Sequence, residues 1–188
     1  MKSLSHVPNI ITVSRIAFAP LLILVLKGHH FFGALAVFAI AGLSDGLDGY
    51  IAKRFSCASR LGAILDPAAD KILLVSTYVM LAWLHMIPFW LVLVVAFRDL
   101  LIVGGYLVYT SIYGPVQMRP SYLSKINTFM QIWLVIFLLA ERAFHFQVAH
   151  AERGLIFGVL FTTVVSGGHY LWAWGIVKNT EVSDGHRN

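Results

Sequence analysis

DGLDGYIAKRFSCASRLGAILDPAADK, residues 45–71, carries four of the nine acidic residues of this 188-residue chain. These residues, Asp45, Asp48, Asp66 and Asp70, lie between long apolar runs. An acidic side chain in the middle of a membrane costs roughly 2.5–3.5 kcal/mol on insertion scales. Four such groups close together also repel one another. The cluster therefore needs a positive partner, and the stretch predicts a cation site inside an apolar fold.

Each half of this stretch has helical spacing. The first pair of aspartates stands at i and i+3 and the second pair at i and i+4, so each pair shares one helix face. Two antiparallel helices joined by the polar turn 54–60 would bring the four carboxylates together. Hard oxygen ligands suit magnesium, manganese or calcium better than zinc. Small residues on the same faces leave room for a bulky ligand: Gly49, Ala52 and Gly62.

A purely structural reading of the cluster stays open. In that reading the carboxylates pair with cations nearby in the chain, namely Lys53, Arg54 and Lys71.

Composition excludes a soluble domain. The chain is 59% hydrophobic and 12% charged, and its mean hydropathy is +0.78. Its length fits one membrane domain over residues 1–188, with a short interfacial lead (1–8) and a polar tail (179–188). No basic stripe or nucleic-acid motif is present, so nucleic acid is not an expected partner.

The apolar runs predict an all-α, polytopic bundle of six transmembrane helices. Their predicted bounds are about Asn9–Leu26, Phe31–Arg54, Arg60–Trp83, Phe89–Thr110, Ser121–Ala140 and Leu155–Lys178. Six spans put both ends of the chain on one side, which also holds eleven of the fourteen Lys and Arg residues. The positive-inside rule makes that side cytoplasmic. The sequence thus predicts a multi-pass protein of the bacterial inner (plasma) membrane, with a polar cavity, and so an active site, open to the cytoplasm.

Polar residues elsewhere have two readings each. Asn9, Thr12 and Arg15 recur at i, i+3 and i+6. They form either a helix cap with a snorkelling arginine or a stripe facing a ligand cleft. Arg98 and Asp99 form either an internal ion pair or a site where the arginine holds an acceptor group.

Two further features follow in the second half of the chain. A Gly/Pro loop carries Arg119, and Lys125, Thr128 and Gln131 recur at i, i+3 and i+6 in the fifth helix.

The stretch resembles the CDP-alcohol phosphatidyltransferases, whose motif is D-x2-D-G-x2-A-R-x8-G-x3-D-x3-D. Every spacing is kept, and one position departs, because Lys53 stands where the family usually has arginine. Positive charge is retained, but a bidentate fork on a phosphate is lost or moves to Arg54.

The resemblance implies a phosphatidyl transfer from CDP-diacylglycerol to an alcohol, with release of CMP. It implies two divalent ions, Mg²⁺ or Mn²⁺, and Asp70 as the general base. It also implies a homodimer among membrane lipids. The implied metal ligands are Asp45, Asp48, Asp66 and Asp70. The implied cytidine-diphosphate contacts are Asn9, Thr12, Asp48, Gly49, Ala52, Lys53, Gly62 and Asp66.

Two acceptors remain open. The segments around Arg98-Asp99 and Arg119–Thr128 look like the CMP-forming cardiolipin synthases, whose acceptor is phosphatidylglycerol. Relatives that make phosphatidylglycerolphosphate use glycerol-3-phosphate, a monoester with nearly two charges that benefits from more cations. Because Tyr106 stands where those relatives carry a second arginine, phosphatidylglycerol is favoured. The expected acceptor contacts are Arg98, Arg119 and Lys125.

A different class of protein must also be weighed. Clustered aspartates in a small helical bundle could serve a divalent-cation transporter. Transporters often show paired repeats, which this sequence lacks, and the glycines and Lys53 beside the aspartates favour a phosphate-bearing ligand.

Overall fold

The computed structural model describes the backbone of residues 7–55, 60–113, 122–146 and 148–184. Side chains are described for residues 17–44, 71–105, 111, 122–146, 148, 150–170 and 172. Throughout these ranges the regular structure is helical, in six helices. Their bounds are α1 Val7–Lys27, α2 Phe31–Phe55, α3 Arg60–Trp83, α4 Phe89–Tyr113, α5 Tyr122–Ala143 and α6 Ala149–Asp184. The all-α prediction is confirmed.

The predicted bounds of the first five helices lie within three residues of those observed, but α6 is longer than predicted at both ends. It begins at Ala149 instead of Leu155. The buried carboxylate of Glu141, near the end of α5, accepts a hydrogen bond from the Val148 N–H at 3.2 Å, next to the first turn of α6. Because a carboxylate at a helix N-terminus satisfies free N–H groups, it stabilises this early start.

Three short turns on one end of the bundle each place a histidine in the left-handed region. The φ angles are 56° at His29, 55° at His85 and 55° at His145. After α1, the His29 N–H bonds to the Leu26 carbonyl and the next N–H to the Val25 carbonyl, which is the Schellman pattern. These closures reverse the chain tightly, so neighbouring helices run antiparallel.

The helices pack as a closed ring in the order α1, α2, α5, α6, α4, α3 and back to α1, and α3 also touches α5 across the middle. Among the described residues, α2 and α3 do not touch each other, because α1 lies against both. In this part of the bundle, α1 therefore links α2 to α3.

Buried and exposed faces both carry apolar side chains. Leu22, Leu81, Leu91 and Leu138 have exposures of 0–1% and belong to one continuous core. Large apolar side chains are also exposed on every helix, with Phe97 at 68% exposure as one example. Exposed apolar surface on this scale marks a region that contacts a membrane or another protein.

One helix, α5, is long and apolar enough by composition to cross a membrane in the described part of the chain. Three shorter apolar segments accompany it: Ala17–Lys27, Phe31–Ser44 and Lys71–Trp83.

Candidate active site

The acidic stretch is carried by the end of α2 and the start of α3. The predicted site residues on α1, α2 and α3 have helical backbone, but their side chains lie outside the described set, and Arg119 lies outside it altogether. The structure therefore does not test whether the four carboxylates converge. The residues in question are Asn9, Thr12, Asp45, Asp48, Gly49, Ala52, Lys53, Gly62, Asp66 and Asp70.

The buried stripe of α3 is in register with its two aspartates. Leu73, Leu74 and Thr77 stand three, four and seven positions after Asp70, and their exposures are 6%, 8% and 0%. Positions with these spacings share a helix face. The register of Asp70 thus continues a face that packs against the rest of the bundle.

The same relation holds on α2. Phe38 and Ala41 stand seven and four positions before Asp45, with exposures of 6% and 0%. Asp48 follows Ala41 by seven positions. On both helices the aspartates therefore stand at positions with the helical register of the buried stripe.

On α1 the buried residues are Ala19, Leu22 and Leu26, exposed by 3%, 0% and 0%. Ala19 follows Thr12 by seven positions, so the predicted polar stripe has the register of this buried face. The helix that carries this stripe, α1, lies against both α2 and α3.

Lys71, directly after Asp70, is paired with a residue on the next helix. Its ammonium forms an ion pair with Oδ2 of Asp99 on α4. The Lys71 side chain is 40% exposed and that of Asp99 is 10% exposed. In the structural reading of the motif Lys71 would neutralise the aspartates, but here its charge is directed to a different carboxylate.

Arg98 is buried at the junction of three helices, with 4% exposure. Its Nη1 donates to Oδ1 of Asp99 at 2.9 Å. Its Nη2 donates to the Ser124 hydroxyl on α5 at 2.7 Å and to the Ser166 hydroxyl on α6 at 2.6 Å. The guanidinium stem lies over α6, where a Cβ added at Gly167 would meet the Cγ of Arg98 at 3.6 Å.

The structure contains the internal ion pair between Arg98 and Asp99, which is the first of the two predicted alternatives. Both terminal nitrogens of Arg98 are engaged by protein groups.

A second polar contact joins α5 to α6. Oδ1 of Asn127, which has 0% exposure, accepts hydrogen bonds from the Thr162 hydroxyl at 3.0 Å and the Thr163 hydroxyl at 2.9 Å. Across the bundle, the Tyr78 hydroxyl donates to the Gln131 carbonyl at 3.3 Å and so ties α3 to α5.

Lys125 lies on a different face of α5 from this interior. Lys125 is exposed, and its Nζ lies 5.4 Å from the ring centroid of Tyr122. Ser124, one residue earlier, is the residue that meets Arg98. The sequence spacing placed Lys125 and Thr128 with Gln131, whereas the polar residues that meet other helices are the half-buried Ser124 and the buried Asn127, each one position earlier.

Five polar groups that bond across helices were not among the predicted site residues. They are Ser124, Asn127, Thr162, Thr163 and Ser166. The available signal was weak: Thr163 and Ser166 are three positions apart in an apolar helix, and Asn127 and Gln131 are four apart. Hydroxyls also bond to their own helix, so spacing alone does not show an inter-helix contact.

The donor chemistry of the acidic motif fits a divalent cation. Four carboxylates offer the oxygen ligands that Mg²⁺ and Mn²⁺ prefer. The adjacent cation with a described side chain, Lys71, is committed to Asp99. Within the residues with described side chains there is no other cluster of three His, Cys, Asp or Glu that could hold a metal.

These features define a class of protein: a helical bundle with an ion-paired interior and a four-aspartate motif on two helices. The sequence profile of the CDP-alcohol phosphatidyltransferase family matches residues 5–176, and the chain belongs to this family. The family is membrane-associated and generally depends on divalent cations.

Its relatives have two kinds of name. Cardiolipin synthase (CMP-forming) from Rattus norvegicus is 33% identical over 180 residues, covering 87% of this chain and 60% of that protein. The Homo sapiens protein of the same name is 34% identical with the same coverage. CDP-diacylglycerol--glycerol-3-phosphate 3-phosphatidyltransferase from Bacillus subtilis (strain 168) is 32% identical over 181 residues, covering 88% of this chain and 93% of that protein. The chain thus spans about 60% of the length of the two mammalian relatives.

Proposed function

We propose that this protein transfers a phosphatidyl group from CDP-diacylglycerol to an alcohol and releases CMP. The observation that carries the proposal is the unbroken motif spacing on α2 and α3, whose buried stripes are in register with the aspartates. A cleft open to the cytoplasm at the membrane surface suits a donor with a water-soluble head and two acyl chains.

Asp45, Asp48, Asp66 and Asp70 are the residues that would hold two divalent cations, Mg²⁺ or Mn²⁺. Bound there, the cations would polarise the donor phosphate and neutralise charge on the departing CMP. Asp70 accepts the proton of the acceptor hydroxyl, whose oxygen forms the new bond to phosphorus as the bond to CMP breaks. The cytidine diphosphate lies against Asn9, Thr12, Gly49, Ala52, Lys53 and Gly62.

Phosphatidylglycerol is the acceptor we favour, which makes the product cardiolipin. A phosphodiester needs fewer cationic contacts than a monoester. Arg98, one of three candidate acceptor cations, is 4% exposed and bonded to Asp99, Ser124 and Ser166. Lys125, the other candidate with a described side chain, is exposed. Glycerol-3-phosphate, the acceptor in the name of the Bacillus subtilis relative, is the alternative.

The reaction is tested with purified protein, CDP-diacylglycerol and each acceptor in turn. We expect CMP release with phosphatidylglycerol and its loss when Mg²⁺ and Mn²⁺ are chelated. Strong turnover with glycerol-3-phosphate alone would reverse the choice of acceptor.

The variant Asp70→Asn tests whether Asp70 is the general base. We expect CMP release to fall by about 10²–10⁴-fold, the usual contribution of a general base, while donor binding stays near normal. Asp184→Asn, at the end of α6, is the matched control and should turn over normally. Normal turnover by Asp70→Asn would remove the base assignment.

Transport of divalent cations is the competing class. Protein reconstituted in liposomes with an internal metal-sensitive dye distinguishes the two. Metal flux without CMP production would favour transport, and CMP production without flux favours the transferase.

We also propose six transmembrane spans in one domain, with residues 1–8, residues 179–188 and the acidic motif on the cytoplasmic side of the bacterial inner membrane. Apolar exposed surface on all six helices and the excess of Lys and Arg on one side support this topology. Cysteine labelling from either side, with Cys57 replaced, tests it. We further propose a homodimer, and light scattering of the detergent complex measures its mass.

A further inference from the structure

We propose that Asp99, on α4, is a positioning residue for the metal site. It holds the ammonium group of Lys71, on α3, and so keeps this competing cation away from the helical turn that carries Asp70. This inference rests on the proposed function, because it assumes that the motif carboxylates bind divalent cations. Asp99 touches no reacting atom and acts through Lys71.

The geometry that supports it is an ion pair next to the motif. Lys71 is the residue after Asp70, and its ammonium contacts Oδ2 of Asp99. The other carboxylate oxygen, Oδ1, accepts from Nη1 of Arg98 at 2.9 Å. Asp99 therefore serves two cations at once, one of them adjacent to the predicted general base.

Asp99 can hold Lys71 because its own position is fixed. Arg98 and Asp99 have exposures of 4% and 8%. The Nη2 of Arg98 bonds to Ser124 on α5 and to Ser166 on α6. Three helices thus determine where this carboxylate lies, whereas the Lys71 side chain is 40% exposed and has room to move.

The electrostatic consequence is competition between the Lys71 ammonium and the divalent cations for the carboxylates of the motif. An ammonium on a four-carbon stem is a mobile point charge that can pair with any carboxylate in reach. Without Asp99, the carboxylates of the motif would be the strongest remaining attraction for Lys71. An ammonium paired with them would raise the concentration of divalent cation needed to fill the site.

The test measures Mn²⁺ binding to detergent-purified protein by electron paramagnetic resonance, with no lipid substrate present. We expect Asp99→Asn to raise the apparent Mn²⁺ dissociation constant roughly tenfold, the effect of one partly screened unit charge. Adding Lys71→Met to Asp99→Asn should restore binding to within about twofold of wild type. Charge competition predicts this rescue, whereas a packing defect would leave the double variant as weak as Asp99→Asn.

Two further variants complete the design. Ser166→Ala removes a hydrogen bond to Arg98 but no charge, so it should lower thermal stability without changing Mn²⁺ binding. Lys71→Met alone should keep or tighten Mn²⁺ binding, and it remains informative if Asp99→Asn does not fold. Weaker binding by Lys71→Met, or equal weakness of Asp99→Asn and the double variant, would overturn the inference.

The failure of this inference can be told apart from the failure of the proposed function. Wild-type protein that binds Mn²⁺ and releases CMP, with Asp99→Asn binding equally well, removes only the role of Asp99. Wild-type protein that neither binds Mn²⁺ nor releases CMP removes both.

Discussion

The α1–α2 side of the bundle and the α4–α6 side bury different kinds of side chain. In the described halves of α1 and α2, the buried residues are apolar: Ala19, Leu22, Leu26, Ala34, Phe38 and Ala41. On α4, α5 and α6 the buried set also includes Arg98, Asp99, Asn127, Gln131, Thr163 and Ser166. Among the residues with described side chains, the first side buries apolar groups, whereas the second buries apolar groups together with charged and hydrogen-bonded ones.

The difference matters because lipid weakens the usual driving force for helix association. Lipid chains are as apolar as leucine, so burying an aliphatic side chain between helices gains mainly from close packing. A guanidinium or amide in lipid must instead find a partner. The α4–α6 side is therefore expected to have a defined register, and the predictions below compare its energetics with those of the α1–α2 side.

The largest effect is expected at Arg98. Arg98→Ala leaves Asp99 with Lys71 alone and removes the shared partner of Ser124 and Ser166. Breaking a buried ion pair by removing one partner typically costs about 3–5 kcal/mol. We expect a loss of that size in the free energy of unfolding, measured by titrating the detergent-solubilised protein with SDS.

The neighbouring Phe97 provides the control for Arg98→Ala. Its side chain is 68% exposed, so Phe97→Ala should change the free energy of unfolding little. Equal unfolding midpoints for Arg98→Ala and wild type would show that the hydrogen bonds from Arg98 to Ser124 and Ser166 do not hold α4 to α5 and α6.

On the other side, Leu22 is the corresponding test of packing. It has 0% exposure in the α1 stripe. Leu22→Ala should cost about 2–3 kcal/mol, because the cavity term remains in lipid while the transfer term shrinks. Leu24, with 66% exposure, is the control, and Leu24→Ala should have almost no effect. A Leu22→Ala loss larger than that of Arg98→Ala would reverse the ranking of the two sides.

The helices were predictable because apolar runs separated by polar turns leave few alternatives. The α3 bounds, Arg60–Trp83, are those that the sequence predicts. The acidic motif could also be recognised from the sequence, since four like charges in an apolar region are costly and need a positive partner. Burial of Phe38 and Ala41 in the register of Asp45 agrees with this, although convergence of the aspartates stays a prediction.

The partners of polar residues across helices could not be predicted. Lys71 has carboxylates nearby in sequence, yet its partner is Asp99, 28 positions away. That choice depends on the order of helices in the ring, which spacing does not encode. The left-handed backbone conformation of His29 could not be predicted either. A turn rule would assign that conformation to a glycine, and Gly28 is the neighbouring residue.

A smaller effect is expected at Asn127, which joins α5 to α6. Asn127→Leu removes two hydrogen bonds from Thr162 and Thr163. Inter-helix hydrogen bonds in membranes average about 0.6 kcal/mol each, so we expect a loss of about 1–2 kcal/mol in the same SDS titration. No loss would mean that these bonds are replaced by bonds within α6, since the Thr162 hydroxyl also lies 3.0 Å from the Gly158 carbonyl oxygen, which can accept its single proton instead.

Gln131, one turn away on α5, is the matched comparison, and its replacement is not expected to lower stability. It has 0% exposure, and neither amide atom of its side chain has a hydrogen-bond partner in the described part of the chain. Replacing an unpaired buried polar group with an apolar one of similar shape is neutral or stabilising. We therefore expect Gln131→Met to leave stability unchanged or raise it by up to about 1 kcal/mol. A loss as large as that of Asn127→Leu would reveal a partner for the amide.

The smallest effect on stability is expected at Lys125, which lies outside the buried network of α5. Its ammonium stands 5.4 Å from the Tyr122 ring centroid, a contact worth less than about 1 kcal/mol at an exposed site. If Lys125 binds the acceptor phosphate, Lys125→Gln should raise the KM for phosphatidylglycerol about two- to fivefold and leave kcat unchanged. Arg142→Gln, an exposed cation at the other end of α5, should change neither constant. An unchanged KM in Lys125→Gln would remove Lys125 from the proposed acceptor contacts.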